Sequence, residues 1–284
     1  MQQLGLNILH YFFLSNFSYF FLKQAGEIME LNLCPLRSSS KGNATIIFNK
    51  NTRILADCGI SGKTIEQCLC GAGVGLDTID AIVVTHEHTD HIKGVGIISR
   101  KYNIPIFANS GTWKAMLPSL GKISDENIRI FETGEDFYIK DINVGTFSVS
   151  HDAAEPVGYT FSHRGEKVAI ATDMGIVTEN VLNHIQGSHT ALIEANYDPN
   201  MLEIGSYPYE LKRRIKGERG HLSNCDCGKL ARLLAGSGTK KIILGHLSEE
   251  NNYPPIAFAT VKNCLCRCDT RILVVSKSGM VESY

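Results

Sequence analysis

Short apolar runs separated by polar turns dominate the chain from residue 31 onward. The runs at 44–48, 81–84 and 241–244 have the length and β-branched content of buried strands. Between such runs, the segment 61–70 places apolar residues four apart, as an amphipathic helix does. Clusters of strands with helices interspersed predict a layered sheet architecture with helices on the outside.

The same pattern predicts the individual elements. Strands are expected at residues 31–35, 44–48, 53–56, 81–84, 104–108, 137–139, 146–150, 157–162, 168–171, 191–195, 241–244 and 271–276. Helices are expected at residues 61–70 and 92–101, at 227–234, and after Pro255, and the polar stretch 37–43 is expected to be a loop. No repeat or linker divides the pattern, so one domain from about residue 29 to 284 is predicted.

The first 28 residues do not follow this pattern. Residues 8–22 are apolar and aromatic, but no Lys or Arg precedes them, as a signal peptide requires. They are also shorter than the about 20 apolar residues of a membrane span. The codons of Ala25-Gly26-Glu27, just before Met29, can spell a ribosome-binding sequence. We therefore expect residues 1–28 to be an untranslated leader, and we expect no stable membrane association.

Charge and cysteine content narrow the class of protein. The formal net charge of −1 provides no global attraction to nucleic acid, so such binding requires a local basic patch. The nine cysteines are odd in number and closely spaced, which favours reduced thiols in a cytoplasmic protein over a disulfide framework. Their Cys-x-Cys spacing also lacks the two-residue spacer of zinc ribbons.

The most informative segment is His86-Glu87-His88-Thr89-Asp90-His91, directly after an apolar strand. Imidazole and carboxylate groups together suit zinc, iron and manganese. An extended backbone directs His86 and His88 to the same side, and Asp90 and His91 follow after a turn. A chance cluster of surface histidines is the alternative, but only ten histidines occur in 284 residues. The segment therefore predicts a metal site.

This segment resembles the H-x-H-x-D-H motif of the metallo-β-lactamase superfamily, and the superfamily's other motifs follow in order. The resemblance implies an αββα sandwich with two divalent metal ions, zinc in the first place, with manganese or iron as alternatives. It implies that one metal is held by His86, His88 and His151. The other metal would be held by Asp90, His91 and His246. By the same resemblance Asp173 bridges the two ions, and Asp57 orients the metal-binding loop, although an Asp-x-Gly sequence can also simply cap a turn.

Two differences in ligand residues from related groups restrict the type of reaction that the resemblance implies. Flavodiiron-type oxygen reductases carry Glu where this chain has His88, and the commonest zinc β-lactamases carry Cys where it has Asp173. The motif set instead resembles phosphodiesterases and glyoxalase II-type thioesterases. In both, paired metal ions lower the pKa of a bridging water and activate it for attack.

Two polar segments favour a phosphodiester substrate. Ser39, Lys41 and Asn43 lie in a hydroxyl- and cation-rich stretch suited to phosphate oxygens, although a plain polar turn is an alternative. Arg213 belongs to a basic run near two tyrosines, which could follow a nucleic-acid backbone. A solvated helix face explains that run about as well.

Within the superfamily, the chain from Met29 onward resembles the YycJ (WalJ) group. The stretches that carry this resemblance are residues 34–44, 194–198, 220–224 and 246–252. It implies a cytoplasmic 5′-to-3′ DNA exonuclease in which a metal-bridging hydroxide attacks phosphorus. The alternatives are a small-molecule hydrolase acting on a thioester or a cyclic phosphodiester, and a non-catalytic regulator. The complete ligand set argues against a regulator.

Besides the ligand Asp90, His221 is predicted to be catalytic. The tetrapeptide Gly-His-Leu-Ser occurs at 220–223 and again at 245–248. His246 follows an apolar strand as His86 does, so it is assigned as the ligand. His221 is then predicted to protonate the leaving oxygen. Two alternatives remain: His221 caps the helix near Cys227, or the two histidines have exchanged roles.

Overall fold

The structure is a computed structural model that describes residues 30–71, 73–265, 268–276 and 279–282. The expected leader, residues 1–28, lies outside the described residues. The strands are β1 (Asn32–Ser39), β2 (Gly42–Phe48), β3 (Arg53–Ala56), β4 (Ala81–Val83), β5 (Ile106–Asn109), β6 (Ile128–Phe131), β7 (Phe137–Ile139), β8 (Ile142–Ser148), β9 (Val157–His163), β10 (Glu166–Ala171), β11 (Thr190–Glu194), β12 (Lys241–Gly245), β13 (Arg271–Ser276) and β14 (Gly279–Glu282). The helices are α1 (Gly62–Gly71), α2 (Thr89–Ile92), α3 (Val95–Tyr102), α4 (Ser110–Leu120), α5 (Glu179–Ile185), α6 (Pro199–Ile204), α7 (Tyr209–Lys216), α8 (Asn224–Gly236) and α9 (Pro254–Cys264).

The strands form two sheets. A six-stranded sheet has the order β1-β2-β3-β4-β5-β6, and an eight-stranded sheet has the order β14-β13-β12-β11-β10-β9-β8-β7. Strands β3 to β6 run parallel in the first sheet, and strands β10 to β13 run parallel in the second. Parallel strands buried on both faces explain the almost continuous apolar runs in the sequence.

Three apolar clusters show how the layers stack. The inner cluster joins the two sheets and includes Ile54, Val83, Phe161, Leu192 and Ile243. The outer clusters are Leu55 and Ile82 with Ile65, Ile98 and Trp113 on the six-stranded sheet, and Ala169 and Leu244 with Val181, Leu230 and Val261 on the eight-stranded sheet. Each sheet therefore packs against the other on one face and against helices on the opposite face, which confirms the αββα sandwich. Within the described residues, no helix combines the length and apolar character needed to cross a membrane.

Two sequence predictions need correction. The stretch 37–43 was predicted to be a loop, but β1 continues to Ser39 and β2 begins at Gly42. Backbone pairing of Ser38 with Asn43 explains the difference, because polar residues in a hairpin still form strand hydrogen bonds. Helix α2, helices α4 to α7 and strands β6 and β14 were not predicted. Helix α7 has no buried residue, so no apolar periodicity marks it.

Candidate metal centre

Several predicted site residues lie where strands end at one edge of the sandwich. Asp57 follows β3, Asp173 follows β10 and His246 follows β12. These three residues have φ angles of 59°, 58° and 54°, in the left-handed region that side chains rarely adopt. Such backbone strain persists where the surrounding structure fixes it, and it is common at functional sites.

Three histidines form one half of the centre. Nδ1 of His88 lies 3.1 Å from Nε2 of His86 and 3.3 Å from Nε2 of His151. Burial lowers the pKa of His86, and the neighbouring imidazoles lower it further. Burial also lowers the pKa of His151, and it outweighs the opposite effect of Asp173. Both rings are therefore held in the neutral form that metal ligation requires.

Asp90, His91, His246 and Asp173 form the other half. The Oδ2 atom of Asp90 lies 3.4 Å from Nε2 of His91 and 3.6 Å from Nε2 of His246. Asp173 stands between the halves, with Oδ1 3.1 Å from Nε2 of His246 and 3.9 Å from Nε2 of His151. The structure therefore brings all seven residues predicted to be metal ligands into one cluster.

Asp57 reaches the centre through His91. Its Oδ2 accepts hydrogen bonds from the Thr85 hydroxyl at 2.9 Å and from Nδ1 of His91 at 2.8 Å, and its Oδ1 accepts one from the Thr85 amide at 2.9 Å. A carboxylate that holds one ring nitrogen of a histidine fixes its tautomer and directs the other nitrogen toward a metal. Asp57 was predicted to orient the metal-binding loop, and its bonds to Thr85 and His91 place it where it could do so.

The donor set fits a divalent metal. Oδ2 of Asp173 is buried and has no hydrogen-bond partner among the described residues, and Nε2 of His246 is buried between the carboxylates of Asp173 and Asp90. Burial lowers the pKa of His246, but Asp173, Asp90 and Glu194 together raise it to about 10. The centre thus carries an excess of negative charge around converging donor atoms, and a divalent cation would balance that charge and bind those atoms.

Glu194, at the end of β11, is a site residue that sequence reasoning missed. Its side chain is completely buried, and Oε1 accepts hydrogen bonds from Nδ1 of His221 at 2.7 Å and Nδ1 of His246 at 2.8 Å. Burial would raise the pKa of Glu194, but the charges and hydrogen bonds of the two histidines hold it below its usual value. The sequence signal was an acidic residue closing an apolar strand, where charge is costly unless paired.

Comparison with known proteins identifies the family. A family model described as a beta-lactamase superfamily domain matches residues 52–247. The chain belongs to the metallo-β-lactamase superfamily. Exodeoxyribonuclease YycJ of Bacillus anthracis is 39% identical over 237 residues, which cover 84% of this chain and 90% of YycJ. Exodeoxyribonuclease WalJ of Streptococcus pneumoniae serotype 2 is 41% identical over 236 residues, which cover 82% of this chain and 88% of WalJ.

Solved structures show the same fold at low identity. The metallo-β-lactamase fold protein YhfI from Bacillus subtilis matches with a TM-score of 0.68 and 12% identity, over 89% of this chain and 99% of YhfI. The Zn²⁺-bound PqqB from Methylobacterium extorquens matches with a TM-score of 0.64 and 16% identity, over 88% of this chain and 99% of PqqB. The family, its relatives and the His/Asp cluster together make this chain a metal-dependent hydrolase.

The four residues predicted to bind substrate lie in different parts of the structure. Asn43 lies inside the centre, with Nδ2 3.0 Å from Nε2 of His91. The Ser39 hydroxyl is buried and accepts a hydrogen bond from the Lys41 amide at 3.3 Å. The Lys41 ammonium pairs with Glu249 at 2.7 Å at the surface, and Arg213 lies on the exposed helix α7. Of the four, only Asn43 is placed against predicted metal ligands.

The two histidines of the repeated tetrapeptide occupy different positions. The donor atom of His246 lies close to those of Asp90 and His91. His221 is bonded to Glu194, and these two residues form a second group of donors with Asp173 and His246, all within 4.8 Å of one another. The first residue of α8 is Asn224, and its N-terminus is capped by the Ser223 side chain rather than by His221. The structure thus gives His221 no capping role and places it against the predicted ligands, and the exchange of roles between His221 and His246 stays an alternative for experiment.

Proposed function

We propose that the protein is a DNA exonuclease that hydrolyses phosphodiester bonds at two bound divalent metal ions, working from 5′ to 3′. The relatives that match most of its length are named exodeoxyribonucleases. The observation that carries the proposal is the His221–Glu194 pair beside the ligand cluster, because a phosphodiester's leaving oxygen needs a proton. The proposed location is the cytoplasm, because the odd number and close spacing of the nine cysteines favour reduced thiols.

The two halves of the cluster would hold one ion each, with Asp173 between them. Zinc fits the mixed imidazole and carboxylate set, and manganese or iron would also fit it. When bound, the ions supply Lewis-acid activation of water and a clamp for phosphate oxygens. The chain's own contribution is to fix the donors through the strand ends and through Asp57, which bonds Nδ1 of His91.

His221 is the proposed proton donor. Nδ1 of His221 donates its hydrogen to the buried Glu194 carboxylate, which leaves Nε2 as the ring nitrogen that can face a substrate. The side chain is 19% exposed, so it is accessible from the centre's open side. Glu194 also bonds Nδ1 of His246, and one carboxylate thereby sets the orientation of both rings.

The substrate would reach the centre past the β1–β2 hairpin and helix α7. Asn43 would face the phosphate at the reacting position, and Ser39 would support the turn that presents Lys41. The exposed Arg213 would contact a phosphate farther along the strand, where cationic side chains contribute affinity without sequence preference.

The test uses the full-length protein loaded with Zn²⁺ or Mn²⁺. It is incubated with single-stranded DNA labelled at the 5′ end and, separately, at the 3′ end. Release of labelled mononucleotide from the 5′ end, with the 3′ label shortening stepwise, is the expected result. Hydrolysis of a glutathione thioester or of a cyclic dinucleotide with no DNA cleavage would replace the proposal with a small-molecule hydrolase. Failure on all three substrates would favour a non-catalytic role.

A further inference from the structure

Asp152 follows the predicted ligand His151 and faces the same centre. Its Oδ1 atom is buried, has no hydrogen-bond partner among the described residues, and lies 3.5 Å from Nε2 of His151. Its other oxygen, Oδ2, accepts a hydrogen bond from Nε of Arg214 at 2.5 Å. A buried carboxylate oxygen without a partner is costly, so its position beside a metal-ligating nitrogen needs an explanation.

The distances between donor atoms suggest an explanation for the position of Asp152. Two donors bound to one zinc ion at about 2.0–2.2 Å lie about 3.0–3.5 Å apart. Two pairs among the three histidines show separations of 3.1 Å and 3.3 Å. Oδ1 of Asp152 lies 3.5 Å from Nε2 of His151, but Asp152 does not join His151 in a group of three donors within 4.8 Å of one another. It stands at the edge of the imidazole cluster, next to His151.

Charge gives a second reason. The histidine half of the centre consists of His86, His88 and His151, which are neutral ligands, and the carboxylate of Asp173 is shared with the other half, which also has Asp90. A divalent cation on the histidine half therefore gains strongly from a nearby carboxylate. We propose that Asp152 is a further carboxylate of the metal centre, serving the ion on the histidine half, and that Arg214 of α7 orients it. This inference rests on the metal centre of the proposed function.

Hydrogen bonds to the segment that follows α7 fix the loop that carries Asp152. Arg219 donates from Nε and Nη2 to the carbonyl of His151 at 3.1 and 3.0 Å. Nδ1 of His151 lies 3.3 Å from the carbonyl of Gly220, and the Ser150 hydroxyl donates to the carbonyl of Glu218 at 2.8 Å. A metal-binding carboxylate that is itself bonded by a cation, in a fixed loop, is the arrangement that raises metal affinity.

A plain ion pair between Asp152 and Arg214 predicts something different. Arg214 is 57% exposed, and exposed ion pairs contribute little to stability. If the pair had only that role, removing the carboxylate would leave metal binding unchanged. Metal affinity therefore distinguishes the two explanations.

The experiment measures Zn²⁺ binding to metal-depleted, full-length protein by competition with a chelator. We expect Asp152→Asn to weaken one of the two zinc sites by about 10–100-fold and to leave the other within about twofold. The Co²⁺-loaded variant should also show altered d–d absorption, since the ligand field changes. Asp136→Asn, which replaces an exposed carboxylate next to β7, is the matched control and should bind like the wild type.

A second variant tests the orienting role and protects against misfolding. Arg214→Gln should weaken the same zinc site by a smaller factor, and Arg214→Lys should recover part of the loss because it keeps the charge. Unchanged zinc affinities and Co²⁺ spectra in Asp152→Asn would overturn the inference. The zinc-binding experiment uses no substrate, so its result does not depend on nuclease activity. A protein that binds both ions but cleaves no DNA would instead overturn the proposed function.

Discussion

At the scale of single residues, the centre depends on carboxylates that hold histidines. Asp57 bonds Nδ1 of His91, and Glu194 bonds Nδ1 of both His221 and His246. Each such bond selects a tautomer and leaves Nε2 for chemistry. The ligand positions followed from spacing and resemblance. For Glu194 the sequence signals only that an acidic residue at the end of an apolar strand needs a partner, and the folded sheet is what brings it between two histidines.

Asp90→Ala should abolish hydrolysis while the fold survives. Asp90 supplies a carboxylate to the half of the centre that contains His91 and His246, and losing one ligand empties or distorts the site. The measurements are turnover on DNA, metal content by elemental analysis, and circular dichroism. Asp125→Ala, at an exposed position, should behave as the wild type. Wild-type turnover by metal-depleted Asp90→Ala protein would refute the prediction.

His221→Ala should keep both metals and slow DNA cleavage by roughly 10²–10⁴-fold, the usual contribution of a general acid. His221 is bonded to Glu194 and stands beside the ligand group. The loss should shrink on a p-nitrophenyl phosphodiester, because that leaving group departs without a proton. His184→Ala, which removes an imidazole on α5, serves as the control.

The assignment of His221 has a clear point of failure. If elemental analysis of His221→Ala shows that one metal is lost, then His221 is a ligand and the roles of His221 and His246 must be exchanged. An equal loss on DNA and on the p-nitrophenyl substrate would argue against proton donation.

At the scale of elements, strands were predicted more reliably than helices. Strands β2, β4 and β12 are buried along their length, so composition alone identifies them. Helix α7 has no buried residue, and α4 contains Pro118, so neither has the regular apolar pattern that predicts a helix. The sequence does not show which segments pack against each other, and only the folded structure reveals this.

A buried asparagine connects three of these elements near the centre. Nδ2 of Asn252 donates to the carbonyls of Ala195 and Asn196 at 2.8 and 3.0 Å, and its Oδ1 accepts from Nδ2 of Asn224 at 2.9 Å. Asn196 in turn donates from Nδ2 to the carbonyl of His246 at 2.9 Å. The network therefore links α8 and the end of β11 to the strained backbone of His246.

Asn252→Ala should lower the free energy of unfolding by about 1–3 kcal/mol, because it leaves buried polar groups without partners. Urea denaturation of the metal-depleted protein measures this change. Asn183→Ala, at an exposed position in α5, should cause no loss. A result for Asn252→Ala equal to that control would mean that the network adds nothing to stability.

At the scale of the whole molecule, the centre joins the two sheets. The six-stranded sheet supplies Asp57 and the segment 86–91, and the eight-stranded sheet supplies His151, Asp173 and His246. The net charge of −1 says nothing about this arrangement, because the relevant charges are local and buried. Metal binding should therefore stabilise the contact between the two halves of the sandwich.

Removing the metals should lower the thermal unfolding temperature. An ion that binds only the folded chain stabilises it by about 2.7 kcal/mol at a concentration 100 times its Kd. For a domain of this size, each kcal/mol corresponds to about 2–4 °C, so a shift of several degrees is expected when a chelator is added. Asp173→Asn should show a smaller shift, because Asp173 lies between both halves of the centre. Unfolding temperatures that do not differ between metal-loaded and metal-depleted wild-type protein, with metal content verified, would show that the two sheets are held together without the metal centre.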